Sequence, residues 1–288
     1  NILHVQTSHV LTYAILAKPF LRAKIIFTRR VDFAPHGRLT RLKYRLTDKV
    51  VAISTAIQRV LENFGVEDVT VIPSAIVKKE LNPTRAAHLL NGLSLAPGTK
   101  LLGTTAALVD HKDPLTMVDA VAELAAVRRD FVFLHFGKGE LETPVRERIA
   151  SLGLQAHYKL MGFRENIEDI FSLLDVFVMS SEQEGLGSSV LDAILYKVPV
   201  VATNAGGLPD LLENGRGIMC PIKSPAALAQ GIATLLDQPR LREEQVRKAY
   251  QYACEQHDLQ YLTDKYLGIM YRLLGAPFPR TAPAEVLY

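Results

Sequence analysis

The chain has 288 residues, 48% hydrophobic and only 7% aromatic, which suits one large or two ordinary globular domains with aliphatic cores. It contains no apolar run of about 18 residues, and its opening NILHVQTSHV lacks the basic head and apolar core of a signal peptide, so neither a membrane span nor an export signal is expected. The two cysteines, Cys220 and Cys254, make no disulfide framework or metal spacing and read as reduced thiols of a cytoplasmic protein.

Net charge is +3 but unevenly spread: residues 1–82 carry 13 Lys/Arg against 6 Asp/Glu, and the remainder 20 against 24. Ten of the cations fall between Lys18 and Lys49, against only Asp32 and Asp48. Such a run is either a solvated helix face or a surface that meets phosphate, lipid or nucleic acid.

In chain order, short β-branched runs predict strands at 2–6, 24–28, 49–53, 69–72, 101–106, 131–136, 158–161, 175–179, 198–202 and 217–220. Helical patterns follow at 55–64, 114–128, 140–152, 187–197, 224–237 and 239–274, the last broken near His257-Asp258. Ser54 reads as the cap of the first of these and Gly65 as its stop. Continuous apolar strands alternating with helices imply parallel sheets covered on both faces, an α/β fold. The strand-free stretch 77–100 separates two sets of βα units, giving domains at 1–80 and 81–274 and an irregular Pro/Ala-rich tail at 275–288.

The stretch SSEQEGLGSSVLDA (180–193) carries the most chemistry. A strand ends there, Gly185 and Gly187 let the turn approach a ligand, and a helix opens with its first N–H groups free and its dipole positive. That arrangement favours an oxygen-rich or anionic ligand at the C-terminal edge of the sheet. Asp192, one and a half turns into the helix, could accept both hydrogen bonds of a vicinal diol, and Glu184 would point into the same cleft. On spacing alone, a solvated loop acid and a surface helix acid explain the two equally well.

The run SSEQEGLGSSVLDAILYKVPVVATNAGGLPDLL resembles the nucleotide-sugar signature of family 4 glycosyltransferases, whose acid-x7-acid motif begins E-G-F-G. Here Glu184 is the first acid, Leu186 replaces the aromatic, and Asp192 stands where a glutamate is usual. LLGTTAALVDHKDPLTMVDAV (101–121) resembles the segment whose Arg and Lys clamp the donor diphosphate, with Lys112 in the lysine position and Ala107 in place of the arginine. FGKGEL (136–141) is similar to the family's G-x-G turn, which supplies Gly137. LMGFREN (160–166) resembles the segment whose backbone reads the base, with Gly162 and with Phe163 as a stacking face or a core residue. KIIFTRRVDF places Arg30 where the family has a histidine near the reacting sugar.

The resemblance covers 1–275 and implies a GT-B fold of two Rossmann-like lobes, the N-terminal one partial because the chain opens where a family member is already into its first lobe. It implies a retaining enzyme that moves a sugar from a nucleoside diphosphate-sugar such as a UDP-sugar to an acceptor hydroxyl. Glu184 and Arg30 would serve the reacting centre. Lys112, Gly137, Gly162, Phe163, Asp192 and the turn Gly185, Leu186, Gly187 and Ser188 would hold the donor. No D-x-D triplet occurs, so no metal and no cofactor is expected.

The basic stretch, with Arg38, Arg41 and Arg45 at helical spacing beside Leu39, Leu42 and Leu46, predicts an amphipathic helix. Either the leucines pack on the lobe, or the helix lies on an anionic bilayer. The second reading puts the enzyme peripherally on the cytoplasmic membrane face, acting on a lipid-linked or cell-envelope saccharide such as a lipopolysaccharide core, with no nucleic-acid partner. A nucleotide-sugar epimerase of the same architecture, a dinucleotide enzyme for which GKGELE lacks the last glycine, and a non-catalytic sugar- or lipid-binding module are the alternatives.

Overall fold

A computed structural model of the protein describes residues 1–93 and 95–277. These form two compact units, one of residues 1–75 together with the chain from Leu259, the other of Ile76–Asp258. In the first unit β1 (Ile2–Val5), β2 (Lys24–Arg29), β3 (Lys49–Ala52) and β4 (Val69–Val71) pair in parallel in that order. Helices α1 (Ser8–Ala17), α2 (Arg38–Leu46) and α3 (Thr55–Asn63) connect them. The Ser54 hydroxyl caps α3 by accepting from the Ile57 N–H at 3.3 Å, and Gly65 (φ 88°) stops it, as the sequence predicts.

The second unit holds α4 (Pro83–Leu89), β5 (Lys100–Thr105), α5 (Pro114–Val127), β6 (Phe131–Phe136), α6 (Glu142–Ser151), β7 (Tyr158–Gly162) and β8 (Val176–Met179). It continues with α7 (Ser188–Leu195), β9 (Val200–Thr203), α8 (Leu208–Leu212), β10 (Ile218–Cys220), α9 (Pro225–Asp237) and α10 (Pro239–Gln256). Its six strands are all parallel in the order β10-β9-β8-β5-β6-β7. The chain winds outward one way from β5 and then the other way from β8, the doubly wound Rossmann pattern. Phe131, Phe133, Val176 and Val178 pack against Val121 and Leu124 of α5 and Ile232 and Leu235 of α9.

One sequence expectation needs correction. The long helical run does break at His257-Asp258, but its second half, α11 (Leu259–Leu274), returns to the first unit. Its apolar stripe explains why: Leu262 and Ile269, with Tyr266, Met270 and Leu273 on the same side, bury against Ile26, Val51 and Ile72 of the first sheet. The division at residue 80, with 81–274 as one lobe, therefore becomes a division at 75/76 with a discontinuous first unit. The stretch 77–100 is free of strands among the described residues up to Lys100, where β5 opens, as the sequence predicts, and it carries α4. Buried Asp169 accepts from the Asn82 N–H (2.8 Å) and from Arg85 Nε, fastening α4 to the 3-10 turn Ile167–Ser172. Residues 278–288 of the tail lie outside the described residues.

Candidate nucleotide-sugar site

β5 and β8 are neighbours at the point where the winding reverses, so the loops after them part and leave a crevice at the C-terminal edge of the second sheet. A cavity of about 540 Å³ lies there, walled by the ends of β5 (Thr105, Ala107), β6 (Gly137, Lys138) and β7 (Phe163, Arg164) and by Ser189 and Asp192 of α7. Phe163 is 67% exposed, which removes the core reading of that ring. The N–H of Gly137 donates to the Gly162 carbonyl at 3.0 Å, joining two of the predicted glycines at the wall. Asp192 is half-buried, and burial, then the nearby Glu168, raise its pKa to about 6, with Lys79 pulling the other way.

A second group adjoins it across the loops. Lys112 and Glu184 form a short ion pair, both largely covered, and the Ser181 hydroxyl donates to the same Glu184 oxygen at 3.3 Å. The Ser180 hydroxyl donates to the carbonyls of Lys112 (3.0 Å) and Asp113 (2.9 Å), and the Glu182 N–H to that of His111 (2.9 Å). Glycine is obligatory around Glu184. A Cβ on Gly206 would lie 1.9 Å from the Glu184 carbonyl oxygen, to which the Gly207 N–H donates at 2.8 Å. Gly187 (φ 90°) opens α7, and a Cβ there would lie 2.4 Å from Leu208. The glycine pair of NAGGLPD forms a turn, closed by the Leu208 N–H donating to the Ala205 carbonyl at 3.0 Å, and that turn seats the backbone of the acid.

The sequence profile described as glycosyl transferases group 1 matches residues 91–252. The chain belongs to that family. Among curated relatives it is 29% identical over 245 residues to a 2-deoxystreptamine glucosyltransferase of Streptomyces kanamyceticus, covering 82% of this chain and 61% of the relative. It is 27% identical over 249 residues to the lipopolysaccharide core biosynthesis mannosyltransferase LpsB of Rhizobium meliloti, covering 83% of this chain and 70% of the relative. In fold it is similar to a glycosyltransferase from Rickettsia africae, with a TM-score of 0.85 at 22% identity over 95% of this chain and 77% of that one. It is also similar to HepE of Anabaena, solved with UDP and glucose, with a TM-score of 0.82 at 21% identity over 94% of this chain and 78% of that one. Both neighbours have the GT-B fold expected from the sequence.

Within this family domain the structure brings Gly137, Phe163 and Asp192 to one cavity, with Gly162 bonded to Gly137 behind its wall, and Lys112, Glu184 and the turn 185–188 to the group beside it. The Leu186 side chain is buried, so only its backbone can face a ligand. Arg30 lies in the other unit, where its guanidinium donates to Ser74 Oγ at 3.2 Å beside a cavity shared with His4 and Tyr266. Sequence reasoning missed Lys138 and Arg164, which line the cavity that also exposes Ala107. The signal for Lys138 was present as the middle residue of FGKG. His135 of β6 is a core residue: burial lowers its pKa to about 4, and its nitrogens meet the Tyr158 hydroxyl (2.7 Å) and the Ala106 carbonyl (3.0 Å).

The raised pKa of Asp192 has a stability consequence. The folded chain holds the charged form at a disadvantage above pH 6, and that penalty fades as pH falls from about 6 to about 4, below which the acid becomes protonated in both states. Asp192→Asn should therefore raise Tm at pH 7.5, by the equivalent of about 1–3 kcal/mol, and lose that advantage near pH 4. Thermal scans across this range check it, and an advantage that grows toward low pH would contradict it.

Proposed function

We propose that the chain carries out retaining transfer of a sugar from a nucleoside diphosphate-sugar, with UDP as the nucleotide, to a hydroxyl of a lipid-linked or cell-envelope saccharide. One observation carries the reading: a family domain whose switch-point cavity presents a desolvated acid, Asp192, on the second turn of a helix that opens at a glycine turn. In this reading the second unit is the donor lobe and the first is the acceptor lobe.

Asp192 accepts both hydrogen bonds of the ribose diol, and Phe163 stacks on the base, whose edge meets the backbone around Gly162. Lys112 and Lys138 share the diphosphate, Lys138 standing in for the arginine that Ala107 replaces. Glu184 and the N–H groups of Gly185 to Ser188 position the sugar and the developing charge. In the transfer the bond from the anomeric carbon to the phosphate oxygen breaks. The acceptor oxygen bonds to that carbon from the same face, and its proton passes to the departing phosphate. Every charge that the leaving group needs is then supplied by cations and helix N–H groups, with no metal.

The acceptor class is supported by the surface of the first unit. Leu39 and Leu42 of α2 are 78% and 50% exposed, while Tyr44 on the opposite side is buried, so the leucines do not pack on the lobe. Tyr13 and Leu16 of α1 and Phe20 beyond it are exposed as well. The charge count needs trimming, however. Lys18 and Lys24 pair with Asp48, Lys49 with Asp68, and Arg41 stacks on Phe64 with its guanidinium carbon 5.2 Å from the ring centre. Arg38 and Arg45 remain as exposed cations on the same helix as the leucines, and Arg22 is exposed in the loop before β2. Among the described residues no helix is long and apolar enough to cross a membrane, so contact through this face would be peripheral.

Calorimetry with UDP should give saturable binding that survives EDTA. Glu184→Gln should spare this affinity and lower turnover, because it frees Lys112 for the diphosphate while removing a sugar contact. Binding abolished by EDTA, or lost on Glu184→Gln, would contradict these assignments. Sedimentation with anionic vesicles should be strong at low salt, weaken with added salt, and fall by about thirtyfold or more in Arg38→Glu/Arg45→Glu, each cation being worth about 1 kcal/mol near such a surface. Equal binding to neutral vesicles would remove the membrane part and leave the transfer reading intact.

A further inference from the structure

β2 ends on Arg29, which is only 5% exposed. Its guanidinium donates to the Tyr44 hydroxyl at 2.9 Å and to the Phe33 carbonyl, and its Nε finds no acceptor. Both partners are neutral oxygens. Burial raises the pKa of Tyr44 while Arg29 pulls it down, and the balance keeps the phenol protonated, so it does not cancel the charge. A buried cation bonded only to neutral groups, with one donor idle, is among the least favourable things a core can contain.

Arg29 lines a cavity of about 300 Å³ within the first unit, between the end of β2, the loop 31–36, α1 and α2. Its other polar walls are Lys43, His36, Thr40 and Ser8, and no lining residue is acidic. Lys43 Nζ also donates only to a neutral oxygen, Thr12 Oγ1 at 3.2 Å. Ser8 is the first residue of α1, at the positive end of that helix. Val31 and Phe33 flank the opening and are themselves exposed. Two cations, a helix N-terminus and an idle guanidinium donor thus converge on one space that has apolar residues at its rim.

We propose that this cavity is an anion site that holds a phosphate group, with Arg29 and Lys43 as its cationic ligands and the molecule's apolar body along Val31 and Phe33. A phosphate oxygen would satisfy the idle Nε–H and neutralise the buried charge, and the planar guanidinium suits phosphate geometry better than an ammonium does. Assigning the phosphate to the sugar acceptor rests on the transfer reading above; the site itself does not.

Inorganic phosphate is titrated against the whole chain by calorimetry and thermal shift, at ionic strength held constant with chloride and with UDP present. Wild type should bind phosphate saturably and gain Tm. Lys43→Ala should bind about tenfold more weakly, and Arg29→Met should not bind, while UDP affinity stays unchanged in both. Arg29→Met should also match or exceed the wild-type Tm without phosphate, since it removes an uncompensated buried cation; a structural strut would lower it. If Arg29→Met does not fold, Lys43→Ala decides, and phosphate affinity equal to wild type in that variant overturns the site. Vesicles of phosphatidylcholine with a minor share of phosphatidic acid separate the sources. Vesicle binding without free-phosphate binding, lost in Lys43→Ala, assigns a lipid headgroup, whereas free phosphate and glycerol 3-phosphate binding alike assigns a soluble phosphomonoester. Binding to neither probe overturns the proposal, and because UDP is followed separately, that failure leaves the donor reading standing.

Discussion

The candidate site hangs on one ion pair, Lys112 with Glu184, which ties the loop after β5 to the loop after β8. These two strands are adjacent where the winding of the sheet reverses, so their loops would otherwise diverge. The serine and backbone hydrogen bonds between residues 111–113 and 180–182 are organised around that tie, and Gly206 and Gly207 hold the Glu184 backbone from the other side. The pair has a chemical meaning under the proposed function. Lys112 is one of the two lysines proposed to share the diphosphate, and in the free chain it is already paired with Glu184. An entering donor would share that cation rather than capture it, which tempers ground-state binding and leaves Glu184 able to turn toward the sugar.

Asp192 illustrates a similar tension between stability and use. A carboxylate is carried on a helix turn where burial and Glu168 both disfavour its charge, and Lys79 offsets only part of this. Lys79 is itself held in place: its side chain pairs with Glu168 at 2.7 Å, and its backbone N–H and carbonyl both meet the Tyr196 hydroxyl. The segment that opens the second unit therefore sets part of the electrostatics of the cavity, which sequence spacing does not reveal. A desolvated acid is a poor structural element but a strong acceptor for a polar ligand that displaces water.

Much of this was legible in the sequence because the signals are local. Short continuous β-branched runs marked all ten strands, and Ser54, Gly65 and the break at His257-Asp258 marked their helix boundaries. Glu184, the glycine turn and Asp192 are close in sequence, so their proximity needed only a strand, a turn and a helix. What failed was non-local. The destination of α11 depends on which sheet its Leu262–Ile269 stripe covers, and both sheets offered apolar faces. Lys138 and Arg164 reach the cavity from different strand ends, so no spacing rule links them to Asp192. Helix α1 went unseen because SHVLTYAILA is apolar on most sides and gives no sharp stripe. The basic run 18–49 was counted as ten equivalent cations, whereas Arg29 is buried and three lysines are already paired.

The central claim, that the switch-point cavity binds a nucleoside diphosphate with its ribose on Asp192, is tested most directly by a double-mutant cycle across that contact. UDP and 2′,3′-dideoxy-UDP are titrated against wild type and against Asp192→Asn. Loss of the diol should weaken binding to wild type by about 10- to 100-fold, the worth of a charged hydrogen bond, and weaken binding to the variant by only a few-fold. Equal losses in both proteins would place the ribose elsewhere and contradict the account.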